Sequence, residues 1–389
     1  MADGPRPLRS DEWDQLNELV SVVFRPTMFA AYPQLFNEQN RQNLRVVAED
    51  GKVVCHVGMI ERSASVAGCR VDVACIGAVA TYDAYRGRGF ASHTFQDCCD
   101  KAAADGVDLM LISGGRGLYT RVGCRPIGQD WDFVLDASNV GGLRSPENAT
   151  LAVTPVGVER AADLRVLYQS EPVRFLRPAD DWRMAFESHV VMARPAEYWG
   201  IVAGERSIAY LIVNPPSALR RAPGDPPTAR VAEYAGDRAA IVAVLPRLLD
   251  HYGAERLTIH VAGHDVVLRT HLSEARIAGT PSPSWGTLRV INFVQLMERC
   301  RPLLAENIGA AAAADLRFAA DERPGSALGG FTIRRGADVV RIPDLGMLAQ
   351  YLFGLPGGAS IEPEGSPALV AALAEALPLP ALWYGITYV

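Results

Sequence analysis

The sequence lacks the long apolar runs of a membrane-spanning helix, because charged or polar residues interrupt every stretch of about 20 residues. Its opening segment, MADGPRPLRSDEWDQ, also lacks the apolar core of a secretory signal. What is present is ordinary for a globular protein, since 49% of the 389 residues are hydrophobic, 21% charged and 8% aromatic. We therefore expect two or three folded domains, a cytoplasmic location and no membrane partner.

Paired cysteines and a strong charge of either sign are missing as well. The seven cysteines contain no CxxC pair, and their odd number favours neither a disulfide framework nor a zinc site. We expect buried free thiols and no metal cofactor. The only lysines are Lys52 and Lys101, and the net charge of -6 argues against nucleic acid as a partner.

The first segment of the chain mixes strand and helix patterns. Two β-branched runs flank Asp50-Gly51, which is a strong hairpin signal. The pattern further predicts strands over residues 70–81, 107–113 and 129–136 and a helix over residues 90–104. Together these elements predict an α+β domain over residues 1–140.

A second segment repeats part of this plan. VAEYAGDRAAIVAVLPRLLDHYGAERLTIHV has the same strand–turn–helix–strand order as CIGAVATYDAYRGRGFASHTFQDCCDKAAADGVDLMLI, which indicates an internal duplication. We place the second domain over residues 150–286. A third segment, residues 287–389, begins with a predicted helix, TLRVINFVQLMERCRPLL, and continues with a hairpin-like pair and two short helices.

The most informative stretch is the strand end Val79-Ala80-Thr81 and the turn that follows it, Arg86 to Ala91. A helix start offers unpaired N–H groups and a positive dipole end, and Gly87 and Gly89 would let a bulky anion approach them. The turn therefore suits a pyrophosphate. The alternative is a tight turn that needs glycine for positive φ, with solvated arginines. GxxxxGK[ST] is absent and GxGxxG fails at its third glycine, which excludes the two common nucleotide loops.

The Arg-x-x-Gly-x-Ala turn after a VAT strand, with GLYTRVGC further along, resembles the GNAT superfamily of acetyl-CoA-dependent N-acetyltransferases. The motifs cover about residues 77–123. The order of the three segments is similar to the enhanced intracellular survival (Eis) family. That resemblance implies an α+β fold with tandem GNAT-like domains, residues 1–140 and 150–286, and a sterol-carrier-protein-like domain, residues 287–389.

The resemblance also implies a role for each matching residue. Tyr119 would be the general acid, and the carboxylate of Val389 would be the base, although the family pattern has an aromatic residue in last place and here Tyr388 precedes Val389. The alternatives are a core tyrosine and a buried terminal strand. The residues expected to contact acetyl-CoA are Val79, Ala80, Thr81, Arg86, Gly87, Arg88, Gly89, Phe90, Ala91, Ser92, Gly114 and Gly115.

These roles describe direct transfer of an acetyl group to an amine. A strand N–H near residues 79–81 would stabilise the oxyanion. The CoA thiolate, with a pKa of about 8.5, would take a proton from a phenol of pKa about 10. The rival hypothesis is a non-catalytic protein that senses CoA or binds an apolar ligand. A transferase of longer acyl chains is a third hypothesis, because the turn reads only the pyrophosphate.

The second segment has Gly236-Asp237-Arg238 where the first has its glycine-rich turn, and Asp237 would repel a pyrophosphate. We predict no CoA there. The resemblance implies a homo-oligomer, a hexamer in the family, and a small-molecule amine that is polycationic and aminoglycoside-like. Asp130 and Asp132 share one strand face, which predicts either a solvent face or an amine contact. His260 and His264 lie in a strand-plus-turn pattern and do not form a zinc pair.

Overall fold

The computed structural model describes residues 2–143, 151–218, 222–320, 330–359 and 361–389. The chain forms two compact units. The first contains Met1–Gly128, Ser284–Ala381 and Val389, and the second contains Gln129–Pro283 and Leu382–Tyr388. The predicted boundary at residue 150 lies outside the described residues, and the division into three domains stays a prediction.

The N-terminal part of the first unit begins with antiparallel strands, and a helix then connects the last of them to a parallel strand. Asp50 and Gly51 have φ of 50° and 80°, as a two-residue hairpin turn with left-handed residues requires, so the predicted hairpin is confirmed. The elements are β1 (Ala2–Pro7), α1 (Trp13–Val23), α2 (Met28–Ala31), β2 (Leu44–Glu49), β3 (Lys52–Val66), β4 (Cys69–Thr81), α3 (Phe90–Ala104), β5 (Leu109–Ile112) and α4 (Gly117–Thr120).

The second unit has its own sheet, in the order β15-β6-β14-β13-β12-β11-β7. The elements are β6 (Asp130–Asp136), β7 (Ala152–Pro155), α5 (Ala161–Gln169), β8 (Val173–Phe175), α6 (Ala179–Ser188), β9 (Val190–Val191), β10 (Arg194–Pro195), β11 (Glu197–Ala203), β12 (Arg206–Asn214), β13 (Thr228–Gly236), α7 (Arg238–His251), β14 (Arg256–Val261), α8 (Val266–Glu274) and β15 (Gly279–Ser282). The strand predicted over residues 129–136 forms, but it pairs with β14 and β15 in this sheet, whereas we assigned it to the first segment.

The chain then returns to the first unit. The predicted helix at residue 287 begins instead as a strand, since Thr287–Val290 pairs antiparallel with β5 before the helix starts at Phe293. The elements are β16 (Thr287–Val290), α9 (Phe293–Arg299), α10 (Arg301–Ile308), α11 (Ala310–Asp315), β17 (Leu316–Ala320), β18 (Phe331–Arg335), β19 (Asp338–Ile342), α12 (Leu345–Phe353), β20 (Glu364–Gly365) and α13 (Pro367–Ala376).

Each unit therefore contains antiparallel strands followed by a parallel pair joined through a helix. In the first sheet, which runs β1-β2-β3-β4-β5-β16, α3 connects the parallel pair β4 and β5. In the second, α7 connects the parallel pair β13 and β14. The mixed α+β class is confirmed, while the sterol-carrier-protein-like assignment of the four-stranded sheet β17-β18-β19-β20 stays a prediction. No described helix is long and apolar enough to cross a membrane.

The core of each unit explains why these elements form. α3 buries Phe95, Cys98 and Ala102 against the sheet, at helical spacing. α7 is buried along most of its length in the second unit, where Ile241, Leu245 and Leu248 pack on the sheet. α3 has the bounds predicted for it, residues 90–104.

Candidate active site

The site begins where β4 and β5 stop pairing. Their parallel pairing runs from Val73 opposite Leu109 to Ile76 opposite Ile112 and ends there. β4 continues to Thr81, whereas β5 gives way to a glycine-containing loop before α4. The last part of β4 therefore has no paired β5 residue beside it, and its edge on that side can accept an extended ligand.

A β-bulge lies in this part of β4. Gly58 is opposite Gly77 and His56 is opposite Ala80, so a single β3 residue faces both Ala78 and Val79. Ala78 has φ of 50°, a left-handed conformation that is uncommon for a residue with a side chain. Bulges of this kind re-aim backbone groups, and this one lies at the strand end where we predict the oxyanion contact.

The β4 residues predicted to contact the coenzyme, Val79 to Thr81, lie in the bulge and at the C-terminal end of the strand. Ala80 is buried, and Val79 and Thr81 are half-buried. The Thr81 hydroxyl donates to the Cys55 thiol at 3.3 Å, which turns its side chain towards β3. This leaves the backbone of residues 79–81 as the part able to contact a ligand along the strand edge.

His56 lies under the bulge and is fully buried. Its Nδ1 is 2.8 Å from the Ala78 carbonyl oxygen. Burial lowers the pKa of the imidazole to about 4, although the Ala78 carbonyl opposes this shift. The ring is therefore neutral at physiological pH. Because a carbonyl only accepts, Nδ1 must carry the ring proton and donate it to Ala78.

The turn after β4 opens α3 without a side-chain cap. Gly89 is the N-cap with φ of 82°, and Gly87 has φ of 76°, values that favour glycine at both positions. The first intrahelical hydrogen bond is donated by His93 to Gly89. The N–H groups of Phe90, Ala91 and Ser92 therefore have no acceptor within the helix and can donate to an anion.

The two arginines of the turn are less available than the sequence suggests. Arg88 donates from both terminal nitrogens to Glu49, at 2.7 and 2.6 Å, and lies over the Phe90 ring. Arg86 is largely exposed and pairs with Asp83 at 3.0 Å. Surface pairs of this kind contribute little stability, about 0–1 kcal/mol, so an incoming anion could recruit either arginine at small cost.

Tyr119 lies directly beyond the end of β5. Its side chain is 5% exposed, and its ring packs against Gly114 and, at 5.4 Å between centroids, against Phe95. A Cβ added at Gly114 would be 3.3 Å from the ring, so glycine permits this close approach. Gly115 is exposed next to it. Tyr119 belongs to the core, as the alternative interpretation holds, but to the part of the core that borders the β4–β5 opening.

Val389 lies next to Gly77 of β4. A Cβ built on Gly77 would be 2.4 Å from the carboxyl carbon of Val389, and the residue is 4% exposed. Gly77 directly follows Ile76, the last β4 residue that pairs with β5. Val389 and Tyr119 therefore both lie near the point at which the two strands part.

Other sequence candidates have structural partners. Asp130 and Asp132 bind the two ring nitrogens of His260, at 3.0 and 2.8 Å. Burial opposes charge on this histidine, but the two carboxylates outweigh burial and raise its pKa to about 9. The imidazolium also stacks on Trp383 at 4.3 Å. Among the residues that the structure describes, no group of three or more His, Cys, Asp or Glu could hold a metal ion.

The corresponding turn of the second unit is closed. The Asp237 side chain caps α7 by accepting from Ala240 N–H at 2.8 Å. Arg238 folds back onto Glu171 and Asp265, and Glu171 also accepts from the N–H of Gly236. The N–H groups of Gly236 and Ala240 and the side chain of Arg238 are therefore already bonded within this unit and are not available to an anion.

The sequence and fold of known proteins match this architecture. Residues 5–127 match the family model described as the acetyltransferase (GNAT) domain. The match spans part of β1, all of β2 to β5 and α1 to α4, and it confirms the predicted resemblance of this segment to GNAT acetyltransferases. Such domains use an acyl-CoA as cosubstrate. A search of curated protein sequences gives no match.

Solved structures with a similar fold span nearly the whole chain. A GCN5-related N-acetyltransferase from Anabaena variabilis is 15% identical, with a TM-score of 0.65 over 97% of this chain and 96% of its own. A conserved protein from Enterococcus faecalis, titled a probable N-acyltransferase, is 14% identical with a TM-score of 0.68 over 98% of both chains. Eis1 from Mycobacterium abscessus is 16% identical with a TM-score of 0.64 over 97% of both. At these identities the likeness concerns the fold.

Three residues of the site were not found by sequence reasoning. Gly77 has no side chain where Val389 packs, Ala78 forms the bulge, and His56 bonds to it. A histidine inside the apolar run VVCHVGMI was a visible signal, since a buried imidazole needs a partner. The bulge itself depends on cross-strand register, which the sequence does not display.

Proposed function

We propose that the first unit is an acetyl-CoA-dependent N-acetyltransferase that acts on an amine by direct transfer. The observation that carries this proposal is the uncapped start of α3, placed next to an unpaired strand end. The N–H groups of residues 87–92 would hold the pyrophosphate, and the backbone of residues 79–81 would pair with the pantetheine arm. Gly114 and Gly115 would line the path to the thioester.

The chemistry needs few protein groups. The amine nitrogen attacks the thioester carbonyl, a C–N bond forms, and the C–S bond then breaks. A bulge N–H at Val79 would stabilise the oxyanion that develops between these steps. The leaving thiolate takes a proton from the Tyr119 hydroxyl. Holding amine and thioester together supplies much of the remaining acceleration.

The proton that the amine loses goes, in our proposal, to the carboxylate of Val389. Its contact with Gly77 supports this role, because Gly77 lies one residue beyond the last β4–β5 pair. The role requires that Val389 ends the mature chain, which the mass of the intact protein purified from its host would report. A mass that includes further residues would overturn this assignment.

The substrate class rests on the resemblance to Eis, and we propose a small-molecule amine that is polycationic and aminoglycoside-like. The test is the release of the free CoA thiol from acetyl-CoA, measured with a panel of polyamines, aminoglycosides and single amino acids. Turnover confined to polycationic amines is expected. Turnover of none of the amines would favour the non-catalytic alternative, and a preference for longer acyl-CoA donors would favour the third hypothesis.

Calorimetric titration of the full chain with acetyl-CoA, CoA and, as a control, NAD is the first test of the proposal. We expect acetyl-CoA and CoA to bind with one site per chain, and NAD not to bind. Two sites per chain would show that the second unit is not degenerate. Absence of CoA binding would overturn the transferase proposal and direct the search to apolar ligands of residues 287–389.

A further inference from the structure

His56 is a buried polar group with only half of its hydrogen-bonding capacity used. Nδ1 donates to the Ala78 carbonyl at 2.8 Å, while Nε2 is buried without a hydrogen-bond partner. An unsatisfied buried acceptor costs about 1–3 kcal/mol. The surroundings are apolar, since Leu35 is buried nearby and the Phe36 ring lies 6.0 Å from the imidazole. A leucine would fill this space without that cost, so the bond to Ala78 is the contribution that distinguishes the imidazole.

The partner of His56 is the strained residue of the bulge. A non-glycine residue in the left-handed region costs about 1–3 kcal/mol and persists only where its surroundings hold it. For Ala78, with φ of 50°, the His56 bond is such a restraint. It acts on the carbonyl of the peptide that joins Ala78 to Val79.

That peptide links the imidazole to the reacting centre. Cis peptides in the described chain occur only before Pro5 and Pro378, so the Ala78–Val79 peptide is trans. In a trans peptide the C=O and N–H point in opposite directions. When His56 holds the carbonyl of Ala78, the N–H of Val79 must point away from the imidazole.

The direction of this N–H matters because β4 lies between β3, which carries His56, and β5, which no longer pairs beyond Ile76. A donated hydrogen bond also polarises the amide and strengthens its N–H as a donor. We propose that His56 is a positioning residue, which orients and polarises the Ala78–Val79 peptide so that the Val79 N–H serves as the oxyanion donor. This inference rests on the proposed acetyl transfer, since it names a residue that prepares that same site.

Two substitutions, His56→Leu and His56→Asn, separate the effect of the hydrogen bond to Ala78 from the effect of side-chain packing. Leucine removes the donor and keeps an apolar side chain of similar size. Asparagine places its amide nitrogen at the same number of bonds from the backbone as Nδ1, so it can still donate to Ala78. His56→Met is a second variant without a donor, in case leucine prevents folding. Circular dichroism and thermal unfolding establish that each variant is folded.

The readout is the carbonyl stretching frequency of acetyl-CoA labelled with ¹³C in its acetyl carbonyl, measured by infrared difference spectroscopy on the bound cosubstrate. In the wild type we expect a shift to lower frequency relative to free acetyl-CoA, because an N–H donor weakens the C=O bond. Leucine or methionine should lose most of this shift and asparagine should restore it, with affinities for acetyl-CoA within about threefold. With an amine substrate, we expect kcat to fall about 10- to 100-fold in the leucine variant, with KM little changed.

Each outcome is decisive. An unshifted carbonyl frequency in the wild type, or an unchanged shift and kcat in the leucine and methionine variants, overturns the role of His56 while acetyl transfer can stand. Failure of a folded asparagine variant to restore either quantity also overturns it, since the donated bond is then not the cause. Absence of acetyl-CoA binding to the wild type overturns the proposed function, and this inference with it.

Discussion

The two strand–turn–helix motifs of this chain have the same order of elements, but the start of the helix is uncovered in the first and covered in the second. In the first unit, Gly89 begins α3 with no side-chain cap, and the turn is exposed. In the second, Asp237 caps α7, and Arg238 is held by Glu171 and Asp265. A helix start attracts anions in either case, but in the second unit the chain supplies its own carboxylates. The comparison shows that a helix start can bind an external anion where the protein's own carboxylates do not already occupy it.

The largest expected effect lies beyond this turn, at Tyr119→Phe. Loss of the acid should lower kcat about 100-fold or more, with the affinity for acetyl-CoA unchanged, because the ring still packs on Gly114. Steady-state kinetics and calorimetry measure the two quantities. The matched control is Tyr234→Phe, which removes a hydroxyl bonded to Asp265 in the second unit and should leave kcat unaltered. A Tyr119→Phe enzyme with full activity would rule out the acid role.

The next effect is expected from Gly77→Ala. Gly77 does not have positive φ, so alanine suits the backbone, but its Cβ would be 2.4 Å from the carboxyl carbon of Val389. We expect displacement of Val389 and a loss of activity of about 100-fold, the lower end of the range for general base catalysis. Deletion of Val389 should cause a similar loss, and the two changes together should not add.

The control for this pair is Gly141→Ala, where nothing lies within 4 Å of the added Cβ. Its activity should equal that of the wild type. If Gly77→Ala is folded and fully active, Val389 does not act from the position that it occupies here. Additive losses in the double variant would indicate two separate contributions.

A smaller effect distinguishes coenzyme binding from helix stability at Ser92. Ser92→Glu places a carboxylate in the first turn of α3, much as Asp237 does for α7. The charge should stabilise the helix by about 0.3–1 kcal/mol and weaken CoA binding about 10-fold by repelling the pyrophosphate. Ser92→Gln is the neutral control and should bind CoA normally. Calorimetry measures the affinity for CoA, and thermal unfolding measures the stability. An increase or a decrease of both quantities in Ser92→Glu would contradict the site assignment.

The smallest effect is expected from opening the second turn. Asp237→Ala removes the cap of α7 and should lower stability by about 0.5–2 kcal/mol. It should not create a second CoA site, because Arg238 remains bonded to Glu171 and Asp265. Urea unfolding and the CoA stoichiometry measure both expectations. A second site in this variant would mean that Asp237 alone closes the turn.

The parts of the fold that were predictable depend on neighbours along the chain. The hairpin at Asp50-Gly51 follows from the φ values those residues accept, and α3 and α7 follow from apolar periodicity. The assignments of residues 129–136 and of Thr287 failed because strand partners are chosen by distant residues. β6 joined β14 and β15, and β16 joined β5, across long stretches of sequence.

Tyr119 became a candidate acid through the resemblance to GNAT acetyltransferases. The sequence by itself determined the helix start behind Gly87 and Gly89 and the loss of the same turn around Asp237. Local chemistry decides these features, since caps, left-handed residues and charge act within a few positions. Only the tertiary structure decided that Val389 packs on Gly77 and that His56 holds Ala78. Both contacts depend on the register of β3 with β4 and on the return of the chain end, which arise only when distant segments pack together.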